Sequence, residues 1–260
     1  MPYFSFKNSL LDLFKILVMR YVIVLIICFS MQINQAQIKK RDLDQVNYVE
    51  TDDGKGGTII GFSMNGKLVG PNYHVKANGM RIYSYFSEDG KAQRVQILMD
   101  DKGMMLLTQM RDNNMHGNAF KMTGDQLNWA REYKRGKTWV DVSRDYKNKL
   151  RKMPNCIGNC MGGFGLEKTS KTNFVIGFFH SSGLHSPVVY FYDKDRYMGE
   201  MKKKTFKRHG FGTYKFSSGN SLYIGMWKKN KRHGLGIWFN EDGTIYQKGY
   251  FKNDKLVINK

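Results

Sequence analysis

Histidines recur in this sequence at a spacing that bears on whether it does chemistry. His209 and His233 each precede a Gly-x-Gly element and lie 24 residues apart, and His185 lies another 24 residues upstream. A catalytic histidine is normally singular, whereas these three recur in register with a repeat. We therefore interpret them as structural residues where a turn meets a strand.

Cys156 and Cys160 are the only cysteines apart from Cys28. In an oxidising compartment the two could form a disulfide, and two free thiols are the alternative. A zinc site that also used His180 and His185 would have 19 residues between Cys160 and His180, too long for a simple zinc finger. The sequence therefore predicts no metal site and leaves the disulfide open.

Recognisable catalytic motifs are absent from the sequence. It has no phosphate-binding loop ending in Gly-Lys-Ser or Gly-Lys-Thr, no Gly-x-Ser-x-Gly elbow and no His-Glu-x-x-His pair. The acidic pairs at 52–53 and 100–101 lie close to glycines, as turn residues do. We predict a non-enzymatic protein without catalytic residues, cofactor or small-molecule substrate. A hydrolase within residues 58–155 is the alternative, favoured only by the irregularity of that region.

A repeat near the C-terminus contains His209 and His233 and must determine where they lie. Two copies each read Tyr-x-Gly-x-(large residue), a basic stretch, Gly-x-Gly and then an aromatic residue, and a third copy opens at Tyr246. Met201 stands in the first copy where Trp227 stands in the second. The residues that define the copies are Tyr197, Gly199, Gly210, Gly212, Tyr214, Tyr223, Gly225, Trp227, Gly234, Gly236 and Trp238.

The alternation within each copy predicts antiparallel β-hairpins. Every second side chain of a strand shares a face, so the glycines and aromatic residues of each copy lie on one face. Bare glycine backbone leaves a gap that an aromatic ring from a neighbouring strand can cover. Stacked copies would bury a continuous aromatic stripe and lengthen the sheet by about 10 Å per hairpin.

Residues 197–243 resemble the MORN repeat, whose pattern is Tyr-x-Gly-x-Trp followed by Gly-x-Gly and a closing glycine. The resemblance implies an all-β fold: an elongated, single-layer antiparallel sheet of stacked β-hairpins. Residues 58–137 contain weaker copies, for which an unrelated β-domain is the alternative. MORN-type repeats elsewhere act as scaffolds, dimerisation surfaces or membrane-proximal modules, which we therefore expect here.

These patterns divide the sequence into five parts. The expected parts are a signal peptide at 1–36, an N-terminal linker at 37–57, degenerate MORN-like repeats at 58–137, a linker or short helix at 138–155, and MORN repeats at 156–257, clearest in 197–251.

The N-terminal 36 residues resemble an export signal. The stretch from Tyr21 to Met31 is apolar apart from one serine, basic residues precede it, and Ala36 offers a cleavage site. The true start could be Met19, and an uncleaved anchor is the alternative. We expect an exported protein that is periplasmic, envelope-associated or extracellular.

Positive charge concentrates between the two strands of each copy. The sequence has 42 Lys and Arg against 22 Asp and Glu, a net charge of +20. If the copies stack, their basic stretches become neighbours along one edge and produce a strong local potential. A solvated loop that keeps sheet edges apart is the alternative. The candidate binding residues are Lys202, Lys203, Lys204, Lys207, Arg208, Lys228, Lys229, Lys231 and Arg232.

These observations favour a non-enzymatic exported scaffold that mediates protein interaction or envelope association. The alternative is a binding module for an anionic surface, either acidic lipid or acidic polysaccharide, through the basic loops. An export signal argues against nucleic acid as a partner.

Overall fold

β-Strands account for nearly all of the regular structure in the chain. A computed structural model describes residues 38, 40–124, 126–143, 155–180, 183–202, 205–217 and 222–260. Within these ranges a short 3-10 helix, Lys40–Gln45, precedes nineteen strands. No helix in the same ranges is long and apolar enough to span a membrane. The predicted signal peptide lies outside the described residues.

The first nine strands form one antiparallel sheet in the order of the sequence, which we call the N-terminal sheet. Tyr73 lies opposite Tyr83 in this sheet, and Leu107 lies opposite Phe120. Its strands are β1 (Asn47–Asp52), β2 (Thr58–Met64), β3 (Lys67–Val75), β4 (Arg81–Phe86), β5 (Ala92–Met99), β6 (Met104–Arg111), β7 (Asn114–Thr123), β8 (Gln126–Lys134) and β9 (Lys137–Asp141).

The remaining ten strands form the C-terminal sheet, which is also antiparallel and ordered as in the sequence. Its strands are β10 (Cys156–Gly158), β11 (Phe164–Lys168), β12 (Phe174–His180), β13 (Gly183–Tyr192), β14 (Asp195–Lys202), β15 (Lys207–Lys215), β16 (Leu222–Lys228), β17 (Lys231–Phe239), β18 (Ile245–Lys252) and β19 (Lys255–Asn259).

The two sheets pack face to face around one apolar core. Tyr85 meets Phe211 across this core with ring centroids 6.0 Å apart, and Phe120 meets Phe164 at 5.0 Å. The prediction of an all-β fold of stacked antiparallel hairpins is confirmed. The hairpins form two packed sheets instead of one layer because each sheet has an apolar face, and packing removes both faces from water.

Two predicted boundaries differ from the structure. The stretch 37–57, expected to be a linker, contains the 3-10 helix and β1, which pairs with β2 along its whole length. The stretch 138–155 includes most of β9, and its residues 144–154 lie outside the described part of the chain. Polar, charged sequence at 47–52 forms a strand because it lies at the edge of the sheet, where partial exposure costs little.

Several hairpins close with two-residue turns in which both central residues have positive φ. This is the type I′ geometry, whose twist matches that of the flanking strands. In the C-terminal sheet, Lys229 and Asn230 have φ of 52° and 73°, and Asn253 and Asp254 have 51° and 72°. The strands that meet at these two turns therefore end side by side at the same end of the sheet.

Candidate functional site

A row of glycines crosses the C-terminal sheet from strand to strand. Each residue of the row lies directly opposite the next, and all but one are glycines, so that eight strands carry almost no side-chain volume along one line. The row, interrupted only by Val188, consists of Gly158, Gly165, Gly177, Val188, Gly199, Gly212, Gly225, Gly236 and Gly249.

Aromatic rings from the adjacent row cover the central glycines of this row, on the sheet face that the N-terminal sheet does not contact. Tyr197 lies over Gly212, where an added Cβ would be 2.6 Å from the ring Cε2. Tyr223 lies over Gly225 and Gly236: a Cβ added to either glycine would be 2.7 or 2.6 Å, respectively, from Cζ of the Tyr223 ring. Both tyrosines are fully buried, and burial raises the pKa of each phenol.

Two arginines lie across the aromatic stripe. The guanidinium of Arg208 is 4.4 Å from the ring centroid of Tyr214 and 4.5 Å from that of Trp227. The guanidinium of Arg232 is 3.9 Å from the centroid of Trp238. These distances place both cations where the ring quadrupole attracts them.

The same arginines tie each hairpin to the next turn. Arg208 donates from its Nη2 to the carbonyl of Asn230 at 3.1 Å, and Arg232 donates from Nη2 to the carbonyl of Asp254 at 3.0 Å. In return, the backbone N–H of each arginine donates to the side chain of the same turn residue, at 2.7 and 2.8 Å. The guanidinium groups therefore lie between the rings and the neighbouring turns and do not extend freely from the hairpin tips, as the sequence led us to expect.

Lysines remain at the hairpin tips, and each of three consecutive hairpins places two of them directly opposite each other. The cross-strand pairs are Lys202 and Lys207, Lys228 and Lys231, and Lys252 and Lys255. Together with Lys229 these seven side chains form the lysine rim, and all are exposed. Lys203 and Lys204 lie outside the described residues.

The lysine rim is not neutralised by the acids around it. Within the described part of the chain, none of its lysines forms a salt bridge. The nearest turn acid, Asp254, is bound to Arg232, and Glu200 pairs with Arg94 at 3.0 Å. Like charges placed directly opposite each other in a sheet are destabilising, so this arrangement is costly for the fold alone.

Comparison with known proteins matches the region that holds the glycine row. Residues 207–221 and 223–245 match the family model for the MORN repeat. The MORN repeat-containing protein 3 of Xenopus laevis is 37% identical over 73 residues, which cover 26% of this chain and 29% of that protein. Residues 207–245 of this chain therefore contain MORN repeats. The matched stretch spans less than a third of the relative.

MORN repeats commonly act as protein-binding or membrane-binding scaffold modules, and the family is generally non-enzymatic. The geometry above explains what its pattern encodes. The Tyr-x-Gly tyrosine folds over its own glycine and those of neighbouring strands, and the Gly-x-Gly element leaves room for the ring. The repeat arginine before His-Gly then caps the rings of the stripe.

The MORN histidines line a small cavity beside the lysine rim. His209 and His233 share a space of about 270 Å³ with Arg94, Trp227 and Lys228. Burial lowers the pKa of both imidazoles, and the nearby Lys228 adds to the effect. Neither buried Nδ1 atom has a hydrogen-bond partner among the described residues.

Cys156 and Cys160 form a disulfide, with their Sγ atoms 1.99 Å apart. The sequence left this pairing open against two free thiols. His180 on β12 and His185 on β13 lie next to each other, with their ring centroids 4.9 Å apart. In the described ranges, no group of three or more His, Cys, Asp or Glu side chains is arranged to hold a metal ion.

The sequence interpretation missed Lys252 and Lys255, which complete the third pair of the lysine rim. They lie 24 residues after Lys228 and Lys231, so the repeat spacing was a sufficient signal for both. Strand alternation likewise places Arg232 on the same face as Gly234 and Gly236, which indicates the aromatic stripe and not the hairpin tip.

Proposed function

We propose that this protein is a non-catalytic scaffold that engages an anionic surface through the lysine rim of its MORN repeats. The supporting observation is the recurrence of an unpaired Lys–Lys couple at three successive hairpin ends. A fold that needed only solubility would gain by alternating the signs of these charges. An anionic partner removes the repulsion that the hairpins otherwise retain.

The spacing of the lysine rim suits an extended partner. Neighbouring strands lie about 4.8 Å apart, so successive hairpin tips are separated by about 10 Å. That separation is close to the Debye length of about 8–10 Å at physiological ionic strength, so the potentials of adjacent pairs add. Acidic lipid surfaces and acidic polysaccharides are both extended and negatively charged.

Vesicle co-sedimentation across a range of salt concentrations tests the proposal. We expect the protein to bind phosphatidylserine-containing vesicles, to ignore pure phosphatidylcholine, and to dissociate as salt rises. Each lysine near an anionic membrane contributes about 1 kcal/mol, so the variant K228A/K231A/K252A/K255A should bind on the order of 1,000-fold more weakly. Polygalacturonate in place of vesicles distinguishes polysaccharide from lipid.

A matched control removes the same charge from the other end of the strands. Lys55, Lys102, Lys171 and Lys194 are exposed turn residues there, and K55A/K102A/K171A/K194A should lose far less binding. Equal losses in the two variants would reduce the effect to net charge and contradict a role for the lysine rim. Binding to neutral vesicles that salt does not weaken would contradict it as well.

A protein partner is the second candidate, favoured by two edge strands that pair on one side only within the described part of the chain. Trp139 and Val140 on edge strand β9 are 66% and 41% exposed, and Ile157 on edge strand β10 is 41% exposed. Exposed apolar side chains beside unpaired strand edges are typical of protein contacts. A pull-down from envelope extract with W139A as comparison tests this: equal recovery of every partner by both proteins would remove the edge from consideration.

We propose in addition that residues 1–36 direct export, on the strength of their basic-apolar-small pattern. N-terminal sequencing of the mature protein tests this directly. A mature N-terminus at Gln37 is the expected result, and a retained N-terminus on a protein that stays in the cytoplasm would contradict it.

A further inference from the structure

A cavity opens between the two sheets, at the opposite end of the strands from the lysine rim. Its volume is about 590 Å³, within the range of pockets that hold small molecules. Both sheets contribute to it, through the starts of β2, β4, β14 and β16 and the ends of β3, β5, β15 and β17. The MORN pattern does not account for it, because the repeat glycines and rings lie on the other face of the C-terminal sheet.

Arg196 extends into this cavity from the start of β14. It shares a face with Met198, which belongs to the core between the sheets. Its buried Nε atom has no hydrogen-bond partner, and no carboxylate pairs with its guanidinium anywhere in the described ranges. A buried guanidinium nitrogen without a hydrogen-bond partner or a counter-charge is costly, so the fold retains it against its own stability.

Two further cations lie around the same space. Arg81 faces Arg196 from β4, although one side of its guanidinium is bound to Asp101 at 2.7 Å. Lys215 lies directly opposite Arg196 on the neighbouring strand. Burial lowers the pKa of Arg196, and the charge of Arg81 lowers it further, which identifies the pair as mutually repulsive. The acids in the lining, Glu50 and Glu241, are exposed residues of β1 and of the β17–β18 turn.

The walls of the cavity are aromatic and apolar. Tyr73 and Tyr83 stack in parallel with their ring centroids 4.9 Å apart, and Phe239 meets Tyr73 edge-on at 5.8 Å. Methionine and leucine side chains complete the wall: Met99, Met198 and Leu222. A ligand that fits must therefore combine an apolar body with a negatively charged head.

We propose that this inter-sheet cavity binds an amphipathic carboxylate, with the head on Arg196 and the apolar body between the tyrosines and the methionines. The carboxylate accepts from the guanidinium of Arg196, whose Nε has no other partner, and Lys215 and the free side of Arg81 add positive charge around it. This site is independent of the lysine rim, from which it is separated by the length of the strands, and it is a binding site without a reaction.

Isothermal titration calorimetry with dodecanoate, below its micelle concentration, tests the proposal against dodecanol as the uncharged analogue. We expect dodecanoate to bind to the whole chain and dodecanol to bind at least about tenfold more weakly, because only the carboxylate engages Arg196. Arg196→Met removes the guanidinium and its charge and leaves a shorter, unbranched apolar side chain. It should lower the affinity for dodecanoate by about tenfold or more and leave dodecanol unchanged.

Thermal unfolding keeps the test decisive if a variant folds poorly. Without ligand, R196M should unfold at the same temperature as the natural protein or higher, since it removes an uncompensated buried charge. Dodecanoate should raise the unfolding temperature of the natural protein and not that of R196M.

The lysine-rim variant K228A/K231A separates this site from the lysine rim and should bind dodecanoate normally. Three outcomes would overturn the proposal. These are no binding of dodecanoate to the natural protein, equal binding of dodecanoate and dodecanol, and binding of dodecanoate that R196M leaves unchanged.

Discussion

The two sheets solve the same packing problem with different side chains. On the outward face of the C-terminal sheet, a row of glycines lies under rings from the adjacent row. On the outward face of the N-terminal sheet, the corresponding line of cross-strand neighbours carries side chains of its own. That line consists of Asn72, Ser84, Gln96, Thr108 and Ala119.

The adjacent row explains the difference. In the N-terminal sheet it is aliphatic, with Ile82 opposite Leu98 and Leu98 opposite Leu106. These side chains are too short to cover the neighbouring backbone, so that backbone must be covered by its own residues and by hydrogen bonds between them. In MORN repeats, glycine in one row therefore goes with tyrosine in the adjacent row, because the ring occupies the space that the missing side chain leaves. A repeat can lose both and keep its hairpin, which is why the sequence pattern fades upstream while the fold persists.

The largest effect should come from filling the glycine row. A Cβ on Gly236 would lie 2.6 Å from Cζ of Tyr223, a ring that is fully buried and cannot move away cheaply. Overpacking of this kind costs about 1–3 kcal/mol, and we expect Gly236→Ala to fall near the upper end. Urea unfolding followed by tryptophan fluorescence measures the loss.

Gly162→Ala is the matched control, because a Cβ there meets no atom within 4 Å and the backbone is not left-handed. Its free energy of unfolding should stay within about 0.5 kcal/mol of the natural protein. If the two alanine variants were equally stable, the rings would not be using the space that glycine leaves, and the comparison of the sheets would fail.

Arg232 distinguishes the aromatic stripe from the lysine rim beside it. Arg232→Met removes the guanidinium that lies 3.9 Å from Trp238 and donates to the Asp254 carbonyl. We expect a loss of about 1–2 kcal/mol, from the cation–π contact and the hydrogen bond together. Lys231→Met, one residue earlier, should change stability by less than about 0.5 kcal/mol. Equal losses would place both cations in the same structural role.

Much of the C-terminal sheet could be predicted from the sequence because its rules are local. The spacing of Tyr223, Gly225 and Trp227 fixes a strand, a face and a partner, and glycine-containing turns fix the hairpins. The same rules, applied one residue further, indicate that Arg208 shares a face with Gly210 and Gly212. The position of the Arg208 guanidinium on the rings could thus have been predicted from the sequence.

The packing of one sheet on the other was beyond these rules. The alternation of residues predicts an apolar face for each sheet. The repeat pattern does not predict that the two faces pack on each other, since each could instead contact a separate partner. Arg196 illustrates the limit. In the sequence it is a basic residue just after a turn, and only the docking of β4 and β14 encloses it beside Arg81.

A smaller effect tests the outward row of the N-terminal sheet. Gln96 donates from Nε2 to Oγ of Ser84 at 2.9 Å, and Ser84 is 5% exposed. Ser84→Ala should cost about 1 kcal/mol, since it leaves a half-buried amide without its acceptor. In a double-mutant cycle with Gln96→Ala, the two losses should not add, because either change alone removes the bond. Strict additivity would mean that the hydrogen bond between Gln96 and Ser84 does not contribute and that the side chains of this row act only by filling space.

The smallest expected effect concerns the turns of the two sheets at low pH. Asp53, in the turn before β2, accepts from the N–H of Gly57 at 2.8 Å and from His74 at 2.7 Å, and these bonds lower its pKa from 3.8 to about 2. A carboxyl group with a lowered pKa in the folded state stabilises the fold above its ordinary value. That contribution disappears as the pH falls from about 4 to about 2.

Asp53→Asn should therefore be less stable than the natural protein at pH 6 and nearly equal to it at pH 2, with unfolding followed in urea at each pH. Asp242, in the turn before β18, has a pKa that is lowered chiefly by the hydroxyl and the N–H of Thr244. Asp242→Asn should flatten the pH dependence by less, because its two bonds lie within an exposed turn and fix no second strand. A larger change from Asp242 would mean that the turn geometry, and not the link from Asp53 to His74 on β3, sets the acid response.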